Sequence, residues 1–279
     1  MRRLLTAVVV VAFLAAAATV AWRELGDKAA TLLPDECMAV VGSGESQLKA
    51  RVNPEQARNA ALIASISIKR GLPARAATIA LATAYQESKL YNLNYGDRDS
   101  VGLFQQRPSQ GWGSRTQLLD ETYATNAFYD ALVKVDGYET MEITVAAQKV
   151  QRSAFPNAYA DHEEGARALA SALTGQSAAA FSCRFGKVKA GSVATVQSRL
   201  VSAFGAYAGT PVITGGQLTL DVAQDTTGWA IAQWTVAHAN RLGVASVKFD
   251  GLVWSGGESW RATTGTDRQV VVTVKRSDA

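Results

Sequence analysis

Glu87 falls on the apolar side of a segment with helical spacing, and the run Gly102-Leu103-Phe104-Gln105-Gln106 follows it within about one loop. Ala76, Ala80, Thr83 and Ala84 stand eleven, seven, four and three residues before Glu87, which is the spacing of one helix face. Arg75, Thr78, Gln86 and Lys89 would form the polar side of that helix. Burial of a carboxylate on the apolar face favours its neutral form and raises its pKa. An acid that stays protonated near neutral pH is what glycosidic-bond cleavage requires, because the leaving alcohol departs only after its oxygen receives a proton. The plainer alternative for Glu87 is a carboxylate near a helix end that caps a neighbouring segment or pairs with an arginine.

The surrounding residue types fit a sugar site. Ser88 can steer the Glu87 carboxyl group, and Gly102 removes a side chain where a polysaccharide must approach the backbone closely. Gln105 and Gln106 supply amides that donate and accept, matching hydroxyl and N-acetyl groups. Phe104 and Trp112 offer flat apolar faces for sugar rings. Asp97 and Asp99 lie between Glu87 and Gly102. They are read either as a second carboxylate that activates water or as turn residues in a solvated loop.

These residues need a scaffold. Asn53-Pro54-Glu55 reads as a helix start, with Asn53 as N-cap. Helices are expected over Glu55–Lys69, Arg75–Leu90, Thr116–Val135, Glu142–Ser153 and Glu163–Leu173, with a Gly-, Asp- and Asn-rich loop from Tyr91 to Ser114. Further on, the patterns predict a helix over Ser192–Tyr207, a strand over Val212–Val222 and a helix over Gly228–Leu242. A hairpin around Asp250-Gly251 and a last strand over Gln269–Lys275 follow.

At 279 residues with 48% hydrophobic and 19% charged composition, the chain is long enough for two modest domains and is not of the disordered class. A net charge of +4 with no Lys/Arg cluster argues against nucleic acid as a partner. Leu4 to Trp22 is a run of nineteen uncharged residues behind Arg2 and Arg3, long enough to span a bilayer. It reads as an uncleaved anchor or, from Ala16-Ala17-Ala18, as a cleaved signal peptide; either one exports the body of the protein. Cys37 and Cys183, the only cysteines, would then lie in an oxidising compartment and are expected to pair, the alternative being two buried thiols.

Glu87-Ser88 followed by Ser100-Val101-Gly102-Leu103-Phe104-Gln105 resembles the signature of the lysozyme-like superfamily, specifically soluble lytic transglycosylases and goose-type lysozymes. The stretch through Gln106-Arg107-Pro108-Ser109-Gln110-Gly111-Trp112-Gly113, with Gln148, Gln151-Arg152-Ser153 and Phe155-Pro156-Asn157-Ala158-Tyr159, resembles lysozyme-like domains of actinobacterial exported proteins. The resemblance implies that Glu87 protonates the bond between N-acetylmuramic acid and N-acetylglucosamine and then acts as base. Gln105 would lie near the reacting sugar and Tyr159 beside the scissile bond, in a cleft that includes Ser88, Ser100, Gly102, Phe104, Gln106, Trp112 and Gln151. No cofactor is implied, and the partner is the glycan strand. The rival reading is a glycan-binding scaffold with little or no turnover.

The C-terminal stretches Trp229–Trp254 and Gln269–Lys275 faintly resemble carboxypeptidase-like domains, but Gln269-Val270-Val271-Val272 offers no zinc ligand. His162 and His238, the only histidines, have no partner at ligand spacing, so no metal site is expected. Such a module would hold wall peptide or a cell-wall protein partner. The expected architecture is thus a membrane segment over 1–22, a stalk over 23–52 and a mainly α lysozyme-like domain over 53–175. A linker over 176–192 and a small α+β domain over 193–279 complete it.

Overall fold

A computed structural model describes residues 33–152, 158–265 and 268–276. The expected membrane segment, the first part of the stalk, and Ser153 and Phe155-Pro156-Asn157 lie outside the described residues. Among the described residues no helix is long and apolar enough to cross a membrane. Among the described residues the fold is α+β rather than mainly α, with 46% helix, 18% strand and two antiparallel sheets.

The departure from a mainly α fold begins before the first helix. Residues read as stalk form strands β1 (Glu36–Val41) and β2 (Leu48–Val52), and residues read as linker form β3 (Phe181–Arg184). The strand order is β2-β1-β3, with Cys37 directly opposite Cys183 in the β1–β3 register and bonded to it as a disulfide. The bridge closes a loop with a sequence separation of 146, worth roughly 5 kcal/mol in the chain-entropy view.

Helix α1 (Pro54–Lys69) starts as expected: Asn53 accepts from the backbone of Glu55 and Gln56, and the Gln56 side chain returns to the Asn53 N–H. Helix α2 (Ala74–Ser88) is buried on nearly every side by Ala76, Ala77, Ile79, Ala80, Leu81, Ala82, Thr83 and Ala84. Even Thr78, expected on its polar face, is buried. Small side chains let neighbours pack close around this central helix.

The single helix expected over Thr116–Val135 is two, α3 (Arg115–Leu118) and α4 (Glu121–Leu132), because Asp120 between them caps α4 through the Tyr123 N–H at 2.8 Å. Helices α5 (Ile143–Gln151) and α6 (Glu163–Leu173) follow, and α6 packs on both α2 and the first sheet.

Helix α7 (Val193–Phe204) leads to strands β4 (Val212–Thr214) and β5 (Gln217–Asp221), a hairpin turned at Gly215-Gly216 where one strand was expected. Helix α8 (Asp225–Leu242) precedes β6 (Val244–Phe249), β7 (Leu252–Trp254), β8 (Arg261–Ala262) and β9 (Gln269–Val274). The order is β4-β5-β9-β6-β7-β8, and α8 packs on this sheet with one side and on α1 with another.

One hydrophobic core runs through both halves. Polar clamps add to it: fully buried Gln233 on α8 accepts from the Phe181 N–H at 2.6 Å and donates to Ala172 O at 2.6 Å. Trp254 and Trp260 donate their indole N–H groups to Cys183 O and Phe181 O. β3 is therefore held by tryptophans of the C-terminal half, and a flexible spacer cannot describe these residues.

Candidate active site

Glu87 lies in the last turn of α2, half-buried. The helix ends in two left-handed residues that are not glycine, Lys89 (φ 55°) and Leu90 (φ 63°). Such residues cost of order 1–2 kcal/mol each and persist where the surroundings over-determine them. Here they do: from α1, Gln56 donates to Lys89 O at 2.8 Å and Asn59 donates to Leu90 O at 2.7 Å. The carboxylate is therefore carried on a backbone fixed from outside its own helix.

Tyr159 Oη donates to Glu87 Oε1 at 2.8 Å, and the Tyr159 side chain is fully buried. Gln151, at the end of α5, also hydrogen-bonds the Glu87 carboxyl group, and the Arg107 charge acts on it. Burial raises the Glu87 pKa above the ordinary carboxylate range and outweighs the downward pull of Tyr159, Gln151 and Arg107. The result is an acid held in reserve, with donors ready to stabilise its conjugate base.

The loop residues that the sequence assigned to substrate work mainly as construction. Ser88 is buried, with its Oγ at 2.7 Å from Leu103 O and 3.0 Å from Ala84 O; its one proton serves one carbonyl at a time. It fastens the loop to α2. Phe104 is fully buried and stacks on Phe128 with centroids 4.6 Å apart, while its carbonyl accepts from Gln151 Nε2 at 2.7 Å. Successive carbonyls of one loop are thereby tied to the two helix ends that carry Glu87 and Gln151.

Gly102 has φ +83°, and a Cβ there would stand 2.4 Å from Leu118 O. The glycine is needed for the seat of the loop on α3. Gln105 (φ 46°) donates to Tyr95 O and Gly102 O, both at 3.2 Å, and its Oε1 occupies the space a side chain at Gly96 would fill. Gln106 is buried and donates to Ala124 O at 3.2 Å. Ser100 is buried as well and accepts from Arg107 Nε at 3.0 Å.

Asp97 pairs with Arg107 at 2.7 Å. Asp99, half-buried, accepts from Ser109 N at 2.8 Å and Ser109 Oγ at 2.9 Å; the Ser109 backbone N–H, more than any other group, holds its pKa below the usual carboxylate range. Both aspartates thus serve the loop's own geometry, and no carboxylate is among the groups that shift Glu87. Arg107 was passed over in the sequence. It bridges Asp97 and Ser100 and also bears on Glu87, and an arginine two residues after Gln105 was the available signal.

Gln151 links this centre to a groove of about 1070 Å³ lined also by Trp112, Tyr123, Lys134, Lys149 and Arg152. Half-buried Trp112 supplies the aromatic surface that Phe104 does not. Among the described residues no group of three or more His, Cys, Asp or Glu side chains comes together as a metal site would require. The chain matches no protein-family model and no curated protein.

Proposed function

We propose that this protein cleaves the glycan strands of peptidoglycan as a lytic transglycosylase, outside the cytoplasm, with Glu87 as its single acid and base. The observation that carries the reading is the Glu87–Tyr159 contact at 2.8 Å on a carboxyl group whose pKa burial has raised, with no second carboxylate among the described residues acting on it. The Cys37–Cys183 disulfide supports an oxidising compartment.

In the first step neutral Glu87 gives its proton to the bridging oxygen between N-acetylmuramic acid and N-acetylglucosamine, and the bond from C1 to that oxygen breaks. Tyr159 and Gln151 hydrogen-bond the carboxylate that forms. In the second step that carboxylate takes the proton of the muramyl 6-hydroxyl, whose oxygen bonds to C1. Glu87 ends protonated, and the product carries a 1,6-anhydro ring. Water is not consumed, so a paired aspartate is not needed. Trp112 and the groove beyond Gln151 offer a surface on which a neighbouring sugar can rest.

Mass spectrometry of muropeptides released from purified peptidoglycan tests this reading. The expected result is anhydro-muramyl ends from the wild type and none from Glu87→Gln. Reducing ends would replace transglycosylation by hydrolysis, and no Glu87-dependent release from several wall types would sink the enzyme reading.

A further inference from the structure

A second cavity, of about 740 Å³, opens between α1, α7 and α8, where the helical and sheet-bearing halves meet. Its lining holds five Lys or Arg and three Asp or Glu side chains, and Asp130, which pairs with Arg70 from outside the lining, leaves an excess of one positive charge. Two of the cations are engaged: Lys69 donates to Ser202 O, and Arg70 pairs with Asp130. Asp120 is engaged as the cap of α4. Arg58 from α1, Arg199 from α7 and Arg241 from α8 remain, and among the described residues none of the three has a carboxylate within 4.0 Å.

All three arginines act electrostatically on His238, and Arg241 also acts on Arg58. Three cations from three separate helices thus line one cavity, and Glu55 of the same lining acts on Arg58 without forming an ion pair with it. His238 adds no fourth. Its Nδ1 lies 2.8 Å from Trp234 O, which only accepts, so the proton sits on Nδ1. Burial first, and the arginines after it, keep the ring neutral. Trp234 stacks on His238 with centroids 3.8 Å apart and lines the same cavity, and its buried indole N–H has no hydrogen-bond partner among the described residues.

We propose that this cavity binds a phosphate dianion through Arg58, Arg199 and Arg241, either as inorganic phosphate or as the terminal group of a phosphomonoester. Three guanidinium groups without a carboxylate partner favour an oxyanion that carries more than one negative charge. A tetrahedral oxyanion also presents oxygens in several directions, as guanidinium groups arriving from three helices demand, whereas a carboxylate offers one planar edge. The volume lies within the range of small-molecule sites.

Isothermal titration calorimetry of the purified protein at low ionic strength tests the assignment, with inorganic phosphate, glycerol 3-phosphate and acetate as probes. The expected result is one-site binding of phosphate or its monoester, with acetate at least about tenfold weaker, and about a tenfold loss in Arg241→Ala. The tighter of the two phosphates identifies the source. Arg241 and Arg199 are exposed, so Arg241→Ala and Arg199→Ala keep the fold if half-buried Arg58→Gln does not. No binding of either phosphate, or affinities unchanged in both exposed variants, would overturn the proposal. Acetate binding as tightly as phosphate would overturn it in favour of a carboxylate site.

Discussion

Helices α2 and α8 are the two central helices of the molecule, and each carries one titratable side chain that burial drives toward its neutral form. Glu87 on α2 is pushed up, and His238 on α8 is pushed down to about 3. Their neighbours then act in opposite ways. Tyr159, Gln151 and Arg107 all favour the charged form of Glu87 against burial. Arg58, Arg241 and Arg199 reinforce burial at His238, where only the Trp234 carbonyl resists. A group whose neighbours oppose its burial can change charge and change back, as an acid that must also be a base requires. A group whose neighbours agree with burial is locked. The helix ends differ in the same sense: α8 stops at Gly243 (φ 70°), while α2 stops on strained Lys89 and Leu90, held by amides from α1.

The severest way to break the comparison is Glu87→Gln. Loss of the proposed acid should lower muropeptide release by about a thousandfold or more. The same variant should be more stable at neutral pH. A folded-state pKa above the unfolded value means that the native state binds more protons through that window, so the wild type loses stability as pH rises through it. The Tm difference between variant and wild type should therefore shrink as pH falls below the ordinary carboxylate range. Equal melting at pH 7 would show that burial does not raise the Glu87 pKa.

Gly102→Ala asks whether the loop's seat matters as much as the acid. Its new Cβ would meet Leu118 O in a left-handed backbone, so stability should fall by about 2 kcal/mol. Displacement of the Leu103 and Phe104 carbonyls should also cost activity, by about a hundredfold. Thermal melts and release assays on one preparation check both.

Much of the α2 end was legible because it rests on local rules. Asn53-Pro54 announced α1, and the periodicity before Glu87 announced the helix and the side on which its carboxylate is buried. The roles of Ser88, Phe104 and Gln106 were not legible: residue type says what a side chain can bond to, while tertiary packing decides whether a sugar or a backbone carbonyl receives the bond. The first sheet was missed for a related reason. Phe181-Ser182-Cys183-Arg184 is short and buried almost throughout, so it lacks the alternation that marks a strand, and Glu36–Val41 signals its inward face only with Cys37 and Ala39. The arginine cavity draws on three helices far apart in sequence, and no local pattern announces it.

Tyr159→Phe sharpens the contrast without removing the acid. The hydroxyl donates to the carboxylate and so favours the charged form; its removal should move the Glu87 pKa further up. The alkaline limb of the pH–rate profile should shift to higher pH, with an activity loss of about tenfold. A downward shift, or an unmoved limb, would mean that Tyr159 does not stabilise the ionised form.

The smallest effect belongs to His238, and it tests the locked side of the comparison. A folded pKa of about 3 against an ordinary value of 6.5 means that the unfolded chain binds more protons between those limits. Its contribution to stability is present above pH 6.5 and is lost as pH falls toward 3. His238→Gln should therefore leave the melting temperature near neutrality little changed and flatten its decline between pH 6 and 4. Removal of one positive neighbour by Arg241→Ala should raise the His238 pKa and start that decline over a narrower interval, because the folded value moves toward the unfolded one. An imidazole resonance followed by NMR gives the direct reading: titration near 6.5 in the wild type would show that the arginines and the cavity wall do not hold the ring neutral, and the asymmetry between the two helices would disappear.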